Sequence, residues 1–160
     1  MSKHDVEMEL AQLNIAKARG EMDELLMKEF VDNLESVNAM AESSEGFIWR
    51  LKDESGDATA IQAFDDPLLL VNMSVWQSPD ALKGFMYMTH HISFMKRKKE
   101  WFEKLTQANY VLWWVPKGHI PDVEEGKLRL EHLREHGESP YAFSFKSRFE
   151  PSDLVITKIA

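Results

Sequence analysis

The sequence predicts an α+β domain: a ferredoxin-like split βαβ sandwich with an added C-terminal helix and strand. Three observations carry this. Leu69 to Val75 is an apolar run of strand length that ends on Trp76 and feeds directly into a helix start. Asp23 to Ser44 repeats apolar residues at helical spacing. The elements read in order as β-α-β-β-α-β, followed by α-β, and the first six match the split βαβ pattern with both helices on one sheet face.

The first strand is expected over Glu7 to Ala16, where Met8 and Leu10, then Leu13 and Ile15, alternate with a change of face between them. In the helix that follows, Leu26, Phe30, Leu34, Val37 and Ala41 form the apolar stripe, and Glu45-Gly46 ends it. Phe47 to Leu51 is the second strand, with Phe47, Trp49 and Leu51 expected on one face and Ile48 and Arg50 on the other. Lys52 to Pro67 is loop-like, with room for a short strand at Ala60 to Phe64, and a segment of that length in a small domain is more often a functional flap or a disordered hairpin than a tight turn.

After the third strand, Ser78 supplies a capping hydroxyl. Pro79 supplies a residue whose missing N–H does no harm at the first helical position, and Asp80 places an acid at the positive end of the dipole. This helix is expected to run to Phe102. Tyr110 to Pro116, rich in valine and tryptophan, is a buried strand that the proline terminates. Asp122 caps another helix with Glu125 as its capping-box partner, Gly137 stops it, and Ala142 to Phe149 is the last strand.

With 160 residues, 44% of them hydrophobic, the chain is expected to be one globular domain over 1–160. It has no cysteine, which excludes disulfide scaffolds, thiolate metal sites and thiol nucleophiles and fits a cytoplasmic location. There is no apolar leader and no run of about 18 apolar residues, so membrane spanning is not expected. A formal charge of −8 opposes nucleic-acid binding, which rests on neutralising phosphates with cations. The local exception, Lys96-Arg97-Lys98-Lys99, has two readings: cations complementing a helix C-terminus, or steering of an anionic substrate.

Val75-Trp76-Gln77-Ser78-Pro79-Asp80-Ala81-Leu82, followed by Thr89-His90, resembles the signature of antibiotic-biosynthesis-monooxygenase-like domains. ELAQLNIA, GFIWRL, VNMSVWQS, EWF and VLWWVPKGHIP together resemble an uncharacterised bacterial and fungal branch of that superfamily, from Met8 to Phe149. The resemblance implies a dimeric α+β barrel, two subunits packed sheet to sheet. It also implies a range of activities, from cofactor-free oxygenation of aromatic polyketides to haem degradation, and fold alone does not choose among them. In that family a helical histidine stands nine residues after the tryptophan, and here that position is Phe85. The homodimer also has a physical argument, because five strands flanked by two or three helices leave an apolar sheet face to be covered.

The candidate site residues follow from the same elements. His90 and His91 are adjacent on the long helix and point about 100° apart, so one cavity is not expected to use both equally. Both also have a structural reading, as hydrogen-bonded histidines. Trp49, Trp76, Tyr87, Phe94 and Trp113 could shape an aromatic pocket, although tryptophans also fill cores and interfaces. Asn72 and Arg50 are polar anchors that could stabilise an oxyanion, with a histidine moving the proton. The leading expectation is a cofactor-independent monooxygenase-like enzyme for a small aromatic or polyketide-like molecule. The alternatives are a haem protein ligated by His90 or His91, and a non-catalytic ligand-binding dimer. His132-Leu133-Arg134-Glu135-His136 has the spacing of an inverted zinc-protease motif, but it sits at a helix end and lacks an evident third ligand.

Overall fold

A computed structural model describes residues 7–52, 59, 61–90 and 97–154, with the backbone alone at 89 and 90. Strands β1 (Met8–Ala18), β2 (Phe47–Arg50), β3 (Leu69–Trp76), β4 (Phe102–Glu103) and β5 (Tyr110–Pro116) form one antiparallel sheet. β1 is central. One of its edges pairs with β3, which pairs with β2; the other edge is shared by β5, over Met8 to Asn14, and β4, over Lys17 and Ala18.

Helix α1 (Lys28–Ser43), entered through a 3-10 turn at Leu25–Met27, and helix α2 (Pro79–His90) pack on the sheet face that carries Leu10, Trp76, Leu112 and Trp114. Ser78 caps α2 as its sequence indicates, accepting from the Ala81 N–H at 3.2 Å. α3 (Lys98–Trp101) is a single turn leading into β4. Of the long helix expected from Ser78 to Phe102, Pro79–His90 and Lys98–Trp101 are helical, whereas the backbone at Phe102 is extended and the residue pairs with Ala18. Residues 91–96 of that expected helix lie outside the described residues.

The opposite sheet face carries Ala11, Leu13, Ile15, Val71, Met73, Val75, Val111, Trp113 and Val115, each at most 5% exposed in the single chain. Helix α4 (Val123–His136) covers it through Leu130 and Leu133, with Ile61, Ala63 and Phe64 of the segment before β3 packed beside them. This corrects the physical argument for a second subunit, because the face that was to be shared is closed within one chain.

Two further expectations change. A β-bulge between Phe47 and Trp49 puts Phe47 opposite Trp76 and Trp49 opposite Val75, so the two aromatics face opposite sides of the sheet. The segment expected as a last strand, Ala142 to Phe149, makes only one bridge to β5, Phe143 to Leu112. Its pairing stops there because the Ser144 N–H and hydroxyl both turn to the Glu138 carboxylate, at 2.7 and 3.0 Å. Phe143 is nonetheless fully buried beside Trp114.

Candidate functional site

Helix α1 packs on its sheet face at its two ends, through Phe30 and Ala41, and stands off it between them. Ala41 is its one buried residue, while Phe30, Leu34 and Val37 of the apolar stripe border a cavity of about 840 Å³. Its floor is the paired stretch of β1 and β3, where Asn14 opposes Asn72 and Ala16 opposes Leu70. Arg50 of β2 closes one side, and α3, β4 and the residues after them form the other through Lys98, Lys99, Phe102, Lys104 and Leu105. Volume and composition are those of a small-molecule site, apolar walls with a few convergent polar groups.

The cavity is walled at one end by an aromatic cluster. Phe30 of α1 meets Phe102 edge-on at 4.9 Å and Trp101 at 5.9 Å, and Trp101 is 2% exposed. Arg97 ties the same end to α1 through an ion pair with Glu29, and also bonds Glu100 at 2.6 Å. Glu100 and Glu29 hold its guanidinium above its ordinary range. Near the start of β3, Lys17 bonds Asp66, whose carboxylate also accepts from the Leu68 N–H at 2.9 Å. The Lys17 bond first, then the backbone bond, holds Asp66 below the usual carboxylate range.

A polar ladder leads away from Asn72 of the floor along the same sheet face. Trp76 Nε1 donates to Ser74 Oγ at 2.8 Å, Gln12 Nε2 donates to the same oxygen at 2.8 Å, and Gln12 Nε2 also donates to Asn72 Oδ1 at 2.7 Å. Gln12 and Ser74 are 7% and 6% exposed, so the two bonds to Ser74 are made away from water, where an unmade one would cost most, while Asn72 is exposed to the cavity. With its oxygen engaged, Asn72 has its N–H₂ donors left for the cavity it lines. Arg50 is buried, its Nη2 3.6 Å from Glu42 Oε1.

The structure therefore brings Asn72 and Arg50 to one cavity. It sets Trp49, Trp76, Tyr87 and Trp113 elsewhere. Trp76 is 1% exposed, between Phe47 edge-on at 5.5 Å and Phe85 stacked at 5.3 Å, as packing for α2. Trp113 is fully buried on the opposite face, its indole N–H bonded to Glu125 Oε2 at 2.8 Å. Trp49 packs on that same face because of the bulge, and Tyr87 is 69% exposed on α2. The His90 side chain, His91 and Phe94 lie outside the described residues.

Sequence reading missed Asn14 and Asn38 of the lining and Gln12, which holds Asn72; for Asn14, an asparagine at an inward position of an otherwise apolar strand was a visible signal. It also misplaced Glu125: Asp122 accepts from the Glu125 N–H at 2.8 Å as a cap should, but the Glu125 carboxylate serves Trp113 and, at 2.7 Å, His119.

Among the described lining residues none is histidine, methionine, cysteine or tyrosine, so these residues offer no axial ligand for haem iron. His132 and His136 stack at 4.6 Å, with His132 edge-on to Tyr141, and the described residues hold no cluster of three or more metal-ligating side chains. No helix among the described residues is long and apolar enough to cross a membrane.

The fold is similar to that of solved structures at low identity. SnoaB, a cofactor-independent oxygenase from Streptomyces nogalater, is 14% identical with a TM-score of 0.44, over 71% of this chain and 98% of that one. PA3566 from Pseudomonas aeruginosa is 13% identical with a TM-score of 0.45, over 72% of this chain and 99% of that one. No functionally curated protein matches the sequence. The family model that does match spans residues 9–158, from the first strand through the cavity walls and α4, and on that match the chain belongs to the family described as domain of unknown function DUF3291.

Proposed function

We propose that the cavity between α1 and the sheet binds a small, largely apolar aromatic molecule and that the protein oxygenates it without a cofactor. The observation that carries this reading is the apolar stripe of α1. Leu34 and Val37, with one side of Phe30, line a cavity of about 840 Å³, and Arg50 and Asn72 border the same space. An amphipathic helix gains its stability by burying such a stripe, and a ligand with an apolar body completes that burial.

The chemistry asks three things of the site: exclusion of water, a base, and donors for the anion that deprotonation creates. The aromatic wall serves the first and Arg50 with the Asn72 amide serves the third. His90 and His91 are the candidate bases. The deprotonated carbon gives an electron to molecular oxygen, the radical pair recombines as a hydroperoxide, and loss of water leaves a carbonyl. One CH₂ and one O₂ become one C=O and one H₂O, so the substrate supplies every electron. The strand order β2-β3-β1-β5, with α1 and α2 on one face, supports reading the scaffold as a ferredoxin-like sandwich.

The test is oxygen uptake by the purified protein with anthrone- and naphthol-type substrates, with product mass recorded. Uptake with exchange of two hydrogens for one oxygen, lost in Asn72→Ala and Arg50→Met, supports the proposal. Saturable binding with no oxygen uptake leaves the protein as a ligand binder.

A further inference from the structure

We infer that the ligand of this cavity is an amphipathic anion: an apolar, ring-sized body carrying one carboxylate or a comparably acidic group. The inference rests on the cavity being the binding site and adds the charge of what enters it. The chain as a whole is acidic, with 27 Asp and Glu against 19 Lys and Arg. The described lining reverses that balance: Arg19, Arg50, Lys98, Lys99 and Lys104 stand against Glu103, with Glu42 paired to Arg50 from outside the lining. Five cations and one acid on the wall of a molecule of net charge −8 form a local positive field inside a negative envelope. Low-dielectric walls focus such a field on whatever occupies the space.

The cations are also placed in two tiers. Lys98 and Lys99 are exposed on α3, where they meet an arriving ligand, and Arg19 fixes that turn by donating from Nε to the Lys99 carbonyl at 2.9 Å. Arg50 is only 9% exposed. Its ion pair with Glu42 takes up part of that charge, and burial leaves the remainder less screened toward a negative group than the charge of a surface lysine. A neutral hydrocarbon would leave this arrangement unused, and a cation would be repelled by it. Cations complementing the end of a helix do not account for Arg50, Arg19 and Lys104, which lie on β2, after β1 and after β4.

Three probes of one ring size decide the matter: naphthoate, naphthalenemethanol and naphthylmethylammonium, titrated calorimetrically into the full chain at low and high salt. The expected result is that naphthoate binds about tenfold or more tighter than the alcohol, the ammonium binds weakest, and salt narrows the gap. Lys98→Gln with Lys99→Gln, both at exposed positions, should weaken naphthoate by about threefold or more and leave the alcohol unchanged. Naphthoate binding no tighter than the alcohol overturns the anion while leaving the cavity reading intact. Failure of all three to bind overturns both. A naphthoate preference that survives the paired lysine substitutions and Arg50→Met overturns the assignment to these cations.

Discussion

Gly126 of α4 stands directly over Leu13 of β1, so close that a β-carbon on the glycine would lie 2.5 Å from Leu13 Cδ1 and 3.3 Å from Met73 Sδ. Both neighbours are fully buried and have nowhere to go. The absence of a side chain at one position thus lets α4 seat on the sheet and close the face that would otherwise need a partner.

Gly126→Ala should accordingly destabilise the protein by about 1 kcal/mol or more, overpacking outweighing the helix propensity gained. Gly84 in α2 is the control, since a β-carbon there meets nothing within 4 Å. Gly84→Ala should stabilise by up to about 1 kcal/mol. Chemical denaturation of the two variants side by side checks both signs.

Trp76 is predicted to be structural. Trp76→Ala removes the ring held between Phe47 and Phe85 and should cost about 3–5 kcal/mol. Trp76→Phe keeps most of that packing but loses the bond to Ser74, and should cost markedly less. Thermal melts rank the two; equal losses would place the main contribution in the hydrogen bond.

Gln12 holds Asn72 through a bond of 2.7 Å and shares Ser74 with Trp76. Gln12→Ala should cost about 1–3 kcal/mol, because buried Ser74 loses one of its two donors and Asn72 loses its partner. It should also weaken ligand binding although Gln12 is not among the lining residues, since Asn72 is then free to turn. Calorimetric titration of naphthoate into the variant, at a temperature where it remains folded, separates this positioning effect from loss of fold.

His132 should titrate below its ordinary value of 6.5, because burial disfavours its charged form and His136 and Arg129 add repulsion. The unfolded chain then takes up this proton first as pH falls. Stability associated with His132 is therefore complete above about pH 6.5 and declines as pH drops toward the lower folded value. Proton NMR of the imidazole resonances reads the midpoint directly. In His132→Gln the stability curve should lose that part of its slope.

The sequence by itself determined the elements whose signals are local. β3 with its Trp76 terminus, the Ser78 cap, β5 from Tyr110 to Pro116 and α4 between Asp122 and Gly137 all stand where periodicity, capping chemistry and proline or glycine stops put them. These features depend on neighbours within a few residues, and that information is written along the chain. Asn72 and Arg50 were legible as polar residues in apolar strands for the same reason.

Tertiary structure alone decided three things. A single extra residue between Phe47 and Trp49 reversed the face of Trp49, because a strand alternates with a period of two and one bulge inverts everything on one side of it. Gly126 brought α4 onto the sheet and removed the apolar face from which a second subunit was inferred, a consequence of contact between residues 113 positions apart. The cavity arose because α1 is held at its ends, by the Phe30 cluster and by Ala41, while Ala16 and the opposed asparagines leave room beneath its middle. Empty space is a property of surfaces that fail to meet, and no single stretch of sequence records it.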